Sequence, residues 1–319
     1  MTPSTLETNQ IAIYFAAVVA GLLIAATAPW AHGLEAAIDL AIAALLYVMF
    51  LQVPLGDLRR ALANRRFLLA LAVANFIAVP AAVLALATAL LPDVPVLWLG
   101  VLMVLLTPCI DYVVAFTHIA RGDAKPLLAA TPLLLLAQML LLPVYLGLFL
   151  GPSAAALIAP KPFLHAFLYL IAVPLVLAGL TQLLAARTAA GARVVAVMTW
   201  LPVPMTALLL LVVFAAVTPR LGDALGDVAR AVPVYLAFAL LAPFVGVAVS
   251  RLFRLEPGAA RAVIFSSSTR NSLVVLPLAF AVPDNGPVVA AIIVTQTLVE
   301  LASEILYVRW VPRLAPAVA

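Results

Sequence analysis

The chain alternates along its whole length between long apolar runs and short stretches that carry charge, glycine or proline. A transmembrane helix needs about 20 mostly apolar residues. The pattern therefore predicts ten helices, approximately at 11–30, 36–55, 67–91, 94–119, 126–150, 163–186, 194–217, 229–250, 258–281 and 286–309. Because no polar stretch is long enough for a soluble domain, we expect an all-α integral membrane protein, with residues 1–319 forming a single membrane domain.

The amino-acid composition indicates a membrane protein and excludes some other features. Hydrophobic residues make up 67% of the chain and charged residues 9%, with a mean hydropathy of +1.25, far from the balance of a soluble domain. The single cysteine excludes an intramolecular disulfide and a multi-thiolate zinc site. We expect no cofactor.

The net charge of +4 reflects membrane topology. With the N-terminus inside, 13 basic residues fall in the inner loops and tail and 3 in the outer loops, while Arg270 lies within a predicted helix. By the positive-inside rule, both termini are predicted to be cytoplasmic, in a multi-pass protein of the cell inner membrane. The basic residues therefore do not indicate a nucleic-acid surface.

Landmarks recur at an offset of about half the chain, which predicts an internal repeat. The offset is 163 residues for Pro80 and Pro243, and 161 for both Cys109/Arg270 and Pro126/Pro287. Repeat 1 is predicted at about 11–150 and repeat 2 at about 163–310. Five helices in each half make the second half inverted relative to the first, an arrangement in which paired broken helices of secondary transporters form the substrate site.

Two helix breaks are predicted at equivalent places. Pro108 cannot donate to the carbonyl of Val104, so helix 4 should unwind over Thr107 to Ile110. Helix 9 carries the polar run "SSSTRNS", in which Ser267 and Thr269 mark the second break. Freed backbone groups at membrane depth are tolerated where they are buried in protein or face a cavity. The breaks predict helices 4 and 9 crossing at a substrate site.

Asp111 and Arg270 are costly at membrane depth and lie in equivalent breaks, so each is the predicted partner of the other. Either they form a structural ion pair, or they bind protons or substrate. Gln296, Glu300 and Glu304 recur every four residues and share one face of helix 10. Each glutamate is either a proton carrier or a structural group bonded to a neighbouring helix.

Cys109 follows the helix-breaking proline. A lone buried cysteine usually acts as a small hydrophobe. At the head of the second half-helix, however, its thiolate is favoured by the helix dipole and suits a soft, thiophilic solute. Asn75 and Gln138 are expected to form hydrogen bonds between helices.

Ten predicted helices, an inverted five-plus-five repeat and broken helices 4 and 9 resemble the bile acid/sodium symporter superfamily over essentially the whole chain, and the motifs "ARGD" and "RNS" fit its crossover region. Within that superfamily, the segments "TPCIDYVVAFTHIARGD" and "STRNSLVVLPLA" resemble the arsenical-resistance (Acr-type) arsenite efflux permeases. This resemblance implies a core of helices 3–5 and 8–10 and a panel of helices 1, 2, 6 and 7. It also implies extrusion of trivalent arsenic in exchange for protons, with a cysteine of helix 4, here Cys109, as the arsenic ligand.

The chain departs from the family pattern at two places. The positions of the sodium ligands hold Val113, Val114, Ser266 and Arg270, which argues against sodium coupling. The glutamate that the arsenite permeases carry in helix 9 is absent near Leu273. If a carboxylate is needed, Asp111 or Glu300 must supply it.

The leading hypothesis is a transporter that extrudes arsenite or methylarsenite, with antimonite in the same chemical class, by proton antiport. The predicted substrate residues are Cys109, Arg270, Asn271, Ser268 and Thr107, and the predicted proton-coupling residues are Asp111, Glu300 and Glu304. The alternative is a sodium- or proton-coupled uptake transporter in which Arg270 binds an organic anion. An enzyme is not expected, because no catalytic Ser/His or Asp/Asp pairing is evident.

Overall fold

The computed structural model describes residues 3–28, 33–52, 64–110, 112–155, 168–280, 282–283 and 285–316, and within these ranges all regular secondary structure is helical. The prediction of an all-α protein is confirmed. In chain order the helices are α1 (Pro3–Thr27), α2 (Glu35–Leu51), α3 (Arg65–Leu90), α4 (Pro95–Leu105), α5 (Val113–Ile119), α6 (Ala124–Ala155), α7 (Val173–Ala185), α8 (Ala189–Met198), α9 (Pro202–Val217), α10 (Leu221–Leu252), α11 (Pro257–Ser268), α12 (Ser272–Phe280) and α13 (Gly286–Leu314).

Several of these helices have the length and apolarity needed to cross a membrane. Within the described ranges, four segments do so, namely α3, Ala124–Leu150, Val228–Leu252 and α13. The pair α8 and α9, bent by 51°, adds a fifth if it forms one span. Shorter apolar helices account for other predicted runs, and the start of the run 163–186 lies outside the described residues. That the protein has ten spans stays a prediction.

The outer faces of the long helices are apolar. On α6, Leu140 is 70% exposed and Leu148 is 71% exposed, and Leu240 and Phe244 are exposed on α10. Large apolar side chains presented in such number are unfavourable in water and suit the hydrocarbon of a bilayer.

The chain divides into two compact units. One consists of Met1–Leu55 and Ala159–Asp223, and the other of Gly56–Ile158 and Ala224–Ala319. These segments correspond to the panel and the core that the family resemblance implies. Within the first unit, Tyr47 shares a hydrogen bond of 2.9 Å with Thr181, and the Gln182 amide donates to the Phe50 carbonyl at 2.9 Å, so α2 is joined to α7.

In the second unit, two prolines each free a carbonyl that a distant tyrosine satisfies. Pro80 has no N–H to offer to the carbonyl of Phe76, and the Tyr145 hydroxyl donates to that carbonyl at 2.6 Å. Pro243 likewise frees the carbonyl of Ala239, to which the Tyr307 hydroxyl donates at 2.5 Å.

The two proline–tyrosine arrangements are separated by the offset that the sequence predicts for the repeat. Pro243 lies 163 residues after Pro80, and Tyr307 lies 162 residues after Tyr145. The same local problem thus has the same solution in α3 with α6 and in α10 with α13. This correspondence supports an internal repeat.

Close packing brings α10 against α11 at Gly246. A Cβ on Gly246 would lie 2.7 Å from the Ile264 Cα and would clash with the Ser267 hydroxyl. On α6, by contrast, a Cβ on Gly147 would meet nothing within 4 Å. Gly246 therefore allows α11, the first half of predicted helix 9, to pack closely against α10.

We predict that Gly246→Ala destabilises the protein by about 1–3 kcal/mol, as expected for overpacking against a backbone that cannot move aside. Gly147→Ala makes the same chemical change in open space and serves as the control. The measurement is the thermal unfolding midpoint of the purified proteins in one detergent. Equal midpoints for the two variants would contradict the close approach of α10 and α11.

Candidate functional site

The first break begins where Pro108 interrupts the helical hydrogen bonds. Helix α4 ends at Leu105, and α5 begins only at Val113. Pro108 has no N–H to donate to the Val104 carbonyl. That carbonyl instead accepts hydrogen bonds from the backbone N–H of Thr107 at 3.3 Å and from the Thr107 hydroxyl at 3.0 Å. The predicted unwinding at Thr107 to Ile110 is thus present, and the side chain preceding the proline replaces the lost donor.

The second break has no proline and is stabilised by hydroxyl groups. Helix α11 ends at Ser268, and Thr269 is extended, with φ of −104° and ψ of 129°. The Ser268 hydroxyl donates to the Ile264 carbonyl at 2.7 Å, one turn earlier. Ser267, predicted at the break, lies in the last turn of α11, one residue before its end, with its hydroxyl 3.0 Å from the Val263 carbonyl and 2.9 Å from the Ile264 carbonyl.

The two breaks meet and pair through their backbones. The Cys109 N–H donates to the Thr269 carbonyl at 3.0 Å, and the Asn271 N–H donates to the Thr107 carbonyl at 2.8 Å. Pro108 and Arg270 face each other in the resulting antiparallel bridge. Each break therefore supplies the partners that the other lost, as buried backbone groups at membrane depth require.

Cys109 lies at this crossing and is 1% exposed. Its side chain is near enough to interact electrostatically with Tyr112 and with Arg270. The prediction that Cys109 heads the second half-helix is wrong, because α5 starts four residues later, at Val113. The break is longer than a proline kink since its backbone pairs with residues 269–271 before the helix resumes.

Oxygen atoms surround the Arg270 side chain, which is fully buried. The guanidinium donates to the Asn75 side-chain oxygen at 2.9 Å, to the Ser266 carbonyl and to the Leu105 carbonyl at 3.5 Å. Its Cζ lies 5.7 Å from the ring centroid of Phe238. The positive charge is thereby held by protein oxygens and an aromatic face, in a cage that we define as Asn75, Leu105, Phe238 and Ser266.

The carboxylates of α13 bond directly to the second break. Glu300 accepts the Arg270 backbone N–H at 2.7 Å, the Gln296 amide at 2.5 Å and the Tyr112 hydroxyl at 2.5 Å. Glu304 contacts the Thr269 hydroxyl at 2.7 Å. The predicted polar face of helix 10 is confirmed as buried, with exposures of 3% or less for Gln296, Glu300 and Glu304.

Unused hydrogen-bonding capacity remains around the crossing. Among the described residues, no partner is found for Arg270 Nε, Asn271 Nδ2, Gln296 Oε1 or Glu304 Oε2, although all four atoms are buried. Both Asn271 Nδ2 and Arg270 Nε are donors, while Gln296 Oε1 is an acceptor. A small solute rich in hydroxyl groups could satisfy both kinds of group.

Of the predicted site residues, the structure brings Thr107, Pro108, Cys109, Ser268, Thr269, Arg270, Asn271, Glu300 and Glu304 into one buried region. Asp111 lies outside the described residues, so its predicted pairing with Arg270 stays a prediction. Asn75 forms the interhelical bond expected of it, at 2.9 Å to the Ser266 hydroxyl. Gln138 does not, since its side-chain nitrogen and oxygen have no partner within the described part of the chain.

Tyr112 is a site residue that the sequence reasoning missed. It follows the polar break and reaches Glu300 from a position 188 residues earlier in the chain. The sequence does carry a signal for Tyr112, because a tyrosine beside a helix break at membrane depth needs a hydrogen-bond partner for its hydroxyl.

The motif "ARGD" has a structural role at one end of the core. Arg121 adopts a left-handed conformation, with φ of 56°, and ends the turn after α5. The Arg261 side chain donates to the Arg121 carbonyl at 3.0 Å, and the Asp123 N–H donates to the Gly258 carbonyl at 3.0 Å. These bonds fix the end of α5 against the start of α11.

A groove of about 530 Å³ lies between α10 and α13. Its walls include Leu240, Phe244, Leu306 and Trp310. Such a lining suits hydrocarbon and offers little to a hydroxylated solute. Cys109 is buried, so a solute can reach it only if the side chains that cover it move.

Two broken helices that cross inside an apolar helical protein, with ionisable side chains buried at the crossing, define the architecture of a secondary membrane transporter. Comparison with known families agrees. The model of the Sodium Bile acid symporter family matches residues 39–223, more than half of the chain, and the protein belongs to that family. The matched segment includes the break at Cys109. No curated protein matches the sequence significantly.

The cage around Arg270 yields a prediction about cations. Removing the side chain in Arg270→Ala leaves the Asn75 oxygen and two carbonyls buried without their donor, at a cost of about 1–3 kcal/mol for each unsatisfied group. We expect a lower yield of folded protein and a lower thermal midpoint. Because the vacated space fits a planar cation, guanidinium at millimolar concentration should raise the midpoint, whereas equal sodium chloride should not.

The double variant Arg270→Ala/Asn75→Ala is the control, because it lacks one oxygen of the cage. Its midpoint should respond to guanidinium less than that of Arg270→Ala. An equal response of wild type and both variants would show that the salt acts elsewhere on the protein.

Proposed function

We propose that this protein is a secondary active transporter that extrudes trivalent arsenic, as arsenite or methylarsenite, in exchange for protons, and that it is of the arsenical-resistance type within its family. Antimonite belongs to the same chemical class of thiophilic solutes and would be transported in the same way. The observation that carries the proposal is the position of Cys109, the chain's one thiol, at the backbone crossing of the two broken helices.

The chemistry of arsenite fits one thiol surrounded by hydroxyl and amide groups. When the Cys109 thiol binds As(OH)₃, an As–S bond forms, one As–OH bond breaks, and the thiol proton leaves with that hydroxyl as water. The two remaining hydroxyls can bond to Thr107, Ser268 and Asn271, the last of which has an unused buried donor. A single sulfur ligand keeps binding reversible, as transport requires.

The cage around Arg270 supports coupling to protons rather than sodium. A guanidinium already occupies an oxygen-lined position with a fixed positive charge. Val113, at one place where the family resemblance puts a sodium ligand, is a fully buried aliphatic residue and offers no side-chain oxygen. The candidates for the proton-binding group are Glu300 and Glu304, which bond to the second break, together with Asp111.

The family match alone favours the alternative, a sodium- or proton-coupled transporter for organic anions. In that mechanism Arg270 binds the carboxylate of the substrate with two parallel hydrogen bonds. The guanidinium instead points into the core and donates to Asn75 and two carbonyls, which leaves its Nε atom unused. This orientation disfavours Arg270 as an anion-binding group.

We further propose that the protein lies in the inner membrane with ten spans arranged as an inverted repeat, and that both termini are cytoplasmic. The distribution of basic residues supports this orientation. The matched proline–tyrosine pairs in the two halves support the repeat.

Cys109→Ser tests the arsenic ligand. The hydroxyl keeps the size and the hydrogen-bonding capacity of the thiol but not its affinity for arsenic. We therefore expect normal amounts of protein and a loss of resistance in arsenic-sensitive cells exposed separately to arsenite, methylarsenite and antimonite.

Alkylation of the purified wild type provides a second measurement. Arsenite should slow modification of the thiol, and since Cys109 is the one cysteine, no other site contributes. Full resistance in Cys109→Ser, together with unprotected alkylation in the wild type, would refute arsenic binding and favour the organic-anion alternative.

The coupling ion can be measured in proteoliposomes. We expect arsenite transport to follow an imposed pH gradient and to be unchanged when sodium is replaced by potassium, because Arg270 already holds a cation's place. A strict requirement for sodium would overturn proton coupling.

A further inference from the structure

The two glutamates of α13 differ in the hydrogen-bond donors that surround them. Three donors point at the Glu300 carboxylate, which are the Arg270 backbone N–H, the Gln296 amide and the Tyr112 hydroxyl. This set satisfies an ionised carboxylate, whose oxygens only accept. Glu300 therefore has the environment of a charged group.

Glu304 has a different environment, although it is fully buried. Its Oε1 contacts the Thr269 hydroxyl at 2.7 Å, and no partner is found for its Oε2 among the described residues. The same Thr269 hydroxyl lies 2.8 Å from the Phe265 carbonyl. A hydroxyl has one proton to donate, so it cannot donate to both Glu304 and Phe265.

A protonated Glu304 resolves this competition. Its O–H donates to Thr269, and the Thr269 hydroxyl donates onward to the Phe265 carbonyl. The remaining Oε2 is then a neutral acceptor without a partner, which costs far less than an unsolvated charge. An ionised Glu304 would instead have at most one donor.

The charged groups near Glu304 also favour its protonated form. The ionisable groups that interact electrostatically with Glu304 are Glu300 and Tyr307 on its own helix and Tyr112 before α5. Glu300 can balance Arg270, and a second negative charge one turn away on α13 would be unfavourable. Asp111 lies outside the described residues.

We infer that Glu304 is the carboxyl that carries the exchangeable proton, while Glu300 remains ionised as the partner of Arg270. The role in transport rests on the proposed proton coupling, but the protonation states do not. On losing its proton, Glu304 needs the Thr269 hydroxyl as a donor, which withdraws that hydroxyl from Phe265. Since the Thr269 carbonyl accepts the Cys109 N–H, proton release acts directly on the crossing.

Two chemically identical substitutions separate the glutamates. Glu304→Gln supplies an amide that donates to Thr269 as the protonated acid does, so we expect a normal yield of folded protein. Glu300→Gln places an amide among three donors and leaves Arg270 unbalanced, so we expect a lower yield and a lower thermal midpoint. The reverse order of stability would overturn the assignment.

Infrared spectroscopy of the purified protein at neutral pH measures protonation directly. We expect the wild type to show the carbonyl stretch of a protonated carboxylic acid, and Glu304→Gln to lose it. Thr269→Val should retain the band but shift it, because the acid loses its acceptor, and Asp111→Asn should leave it unchanged. A band that persists in Glu304→Gln, or is absent from the wild type, would overturn the inference.

Transport distinguishes this inference from the proposed function. If arsenic is exported, Glu304→Gln should abolish pH-driven transport yet retain exchange of arsenite across the membrane without a gradient. If the protein moves no arsenic, the proposed function fails, while the spectra and the stabilities still test the state of Glu304.

Discussion

The reciprocal backbone pairing of the two breaks is the constraint on which the site depends. Hydrocarbon offers no water to unpaired N–H and C=O groups, so a helix broken at membrane depth must find partners in the protein. The bonds from Cys109 to Thr269 and from Asn271 to Thr107 meet that need for both breaks at once. They also fix which side chains converge, because they set Cys109 beside the residue whose hydroxyl bonds Glu304.

The two breaks are predictable from the sequence because their causes are local. A proline removes a donor from its own helix, and a run of hydroxyl residues in an apolar helix is evident from composition. The same reasoning misplaced Ser267 and the start of α5, because the ends of half-helices are set by pairing with a distant segment. Contacts such as Tyr112 with Glu300, 188 residues apart, follow from the tertiary fold and leave no periodic signal.

The two proline–tyrosine pairs form the same hydrogen-bond arrangement in the two halves of the second unit. Pro80 and Pro243 each remove the donor to a carbonyl four residues earlier, and each carbonyl then needs a hydroxyl from a neighbouring helix. Tyr145 and Tyr307 supply it from helices at equivalent places in the chain. Tyr307 also lies one turn beyond Glu304 on α13 and interacts electrostatically with it.

The charge balance at the crossing bears on what the site can accept. Arg270 is committed to its cage, Glu300 balances it, and a protonated Glu304 adds no charge. Among the described residues, the region around Cys109 is then close to neutral. Arg261, another buried guanidinium of the core, is occupied with the carbonyls of Arg121 and Ala315. An organic anion would therefore meet no uncommitted cation among the described residues there, whereas the neutral As(OH)₃ of the proposed function would bring no uncompensated charge.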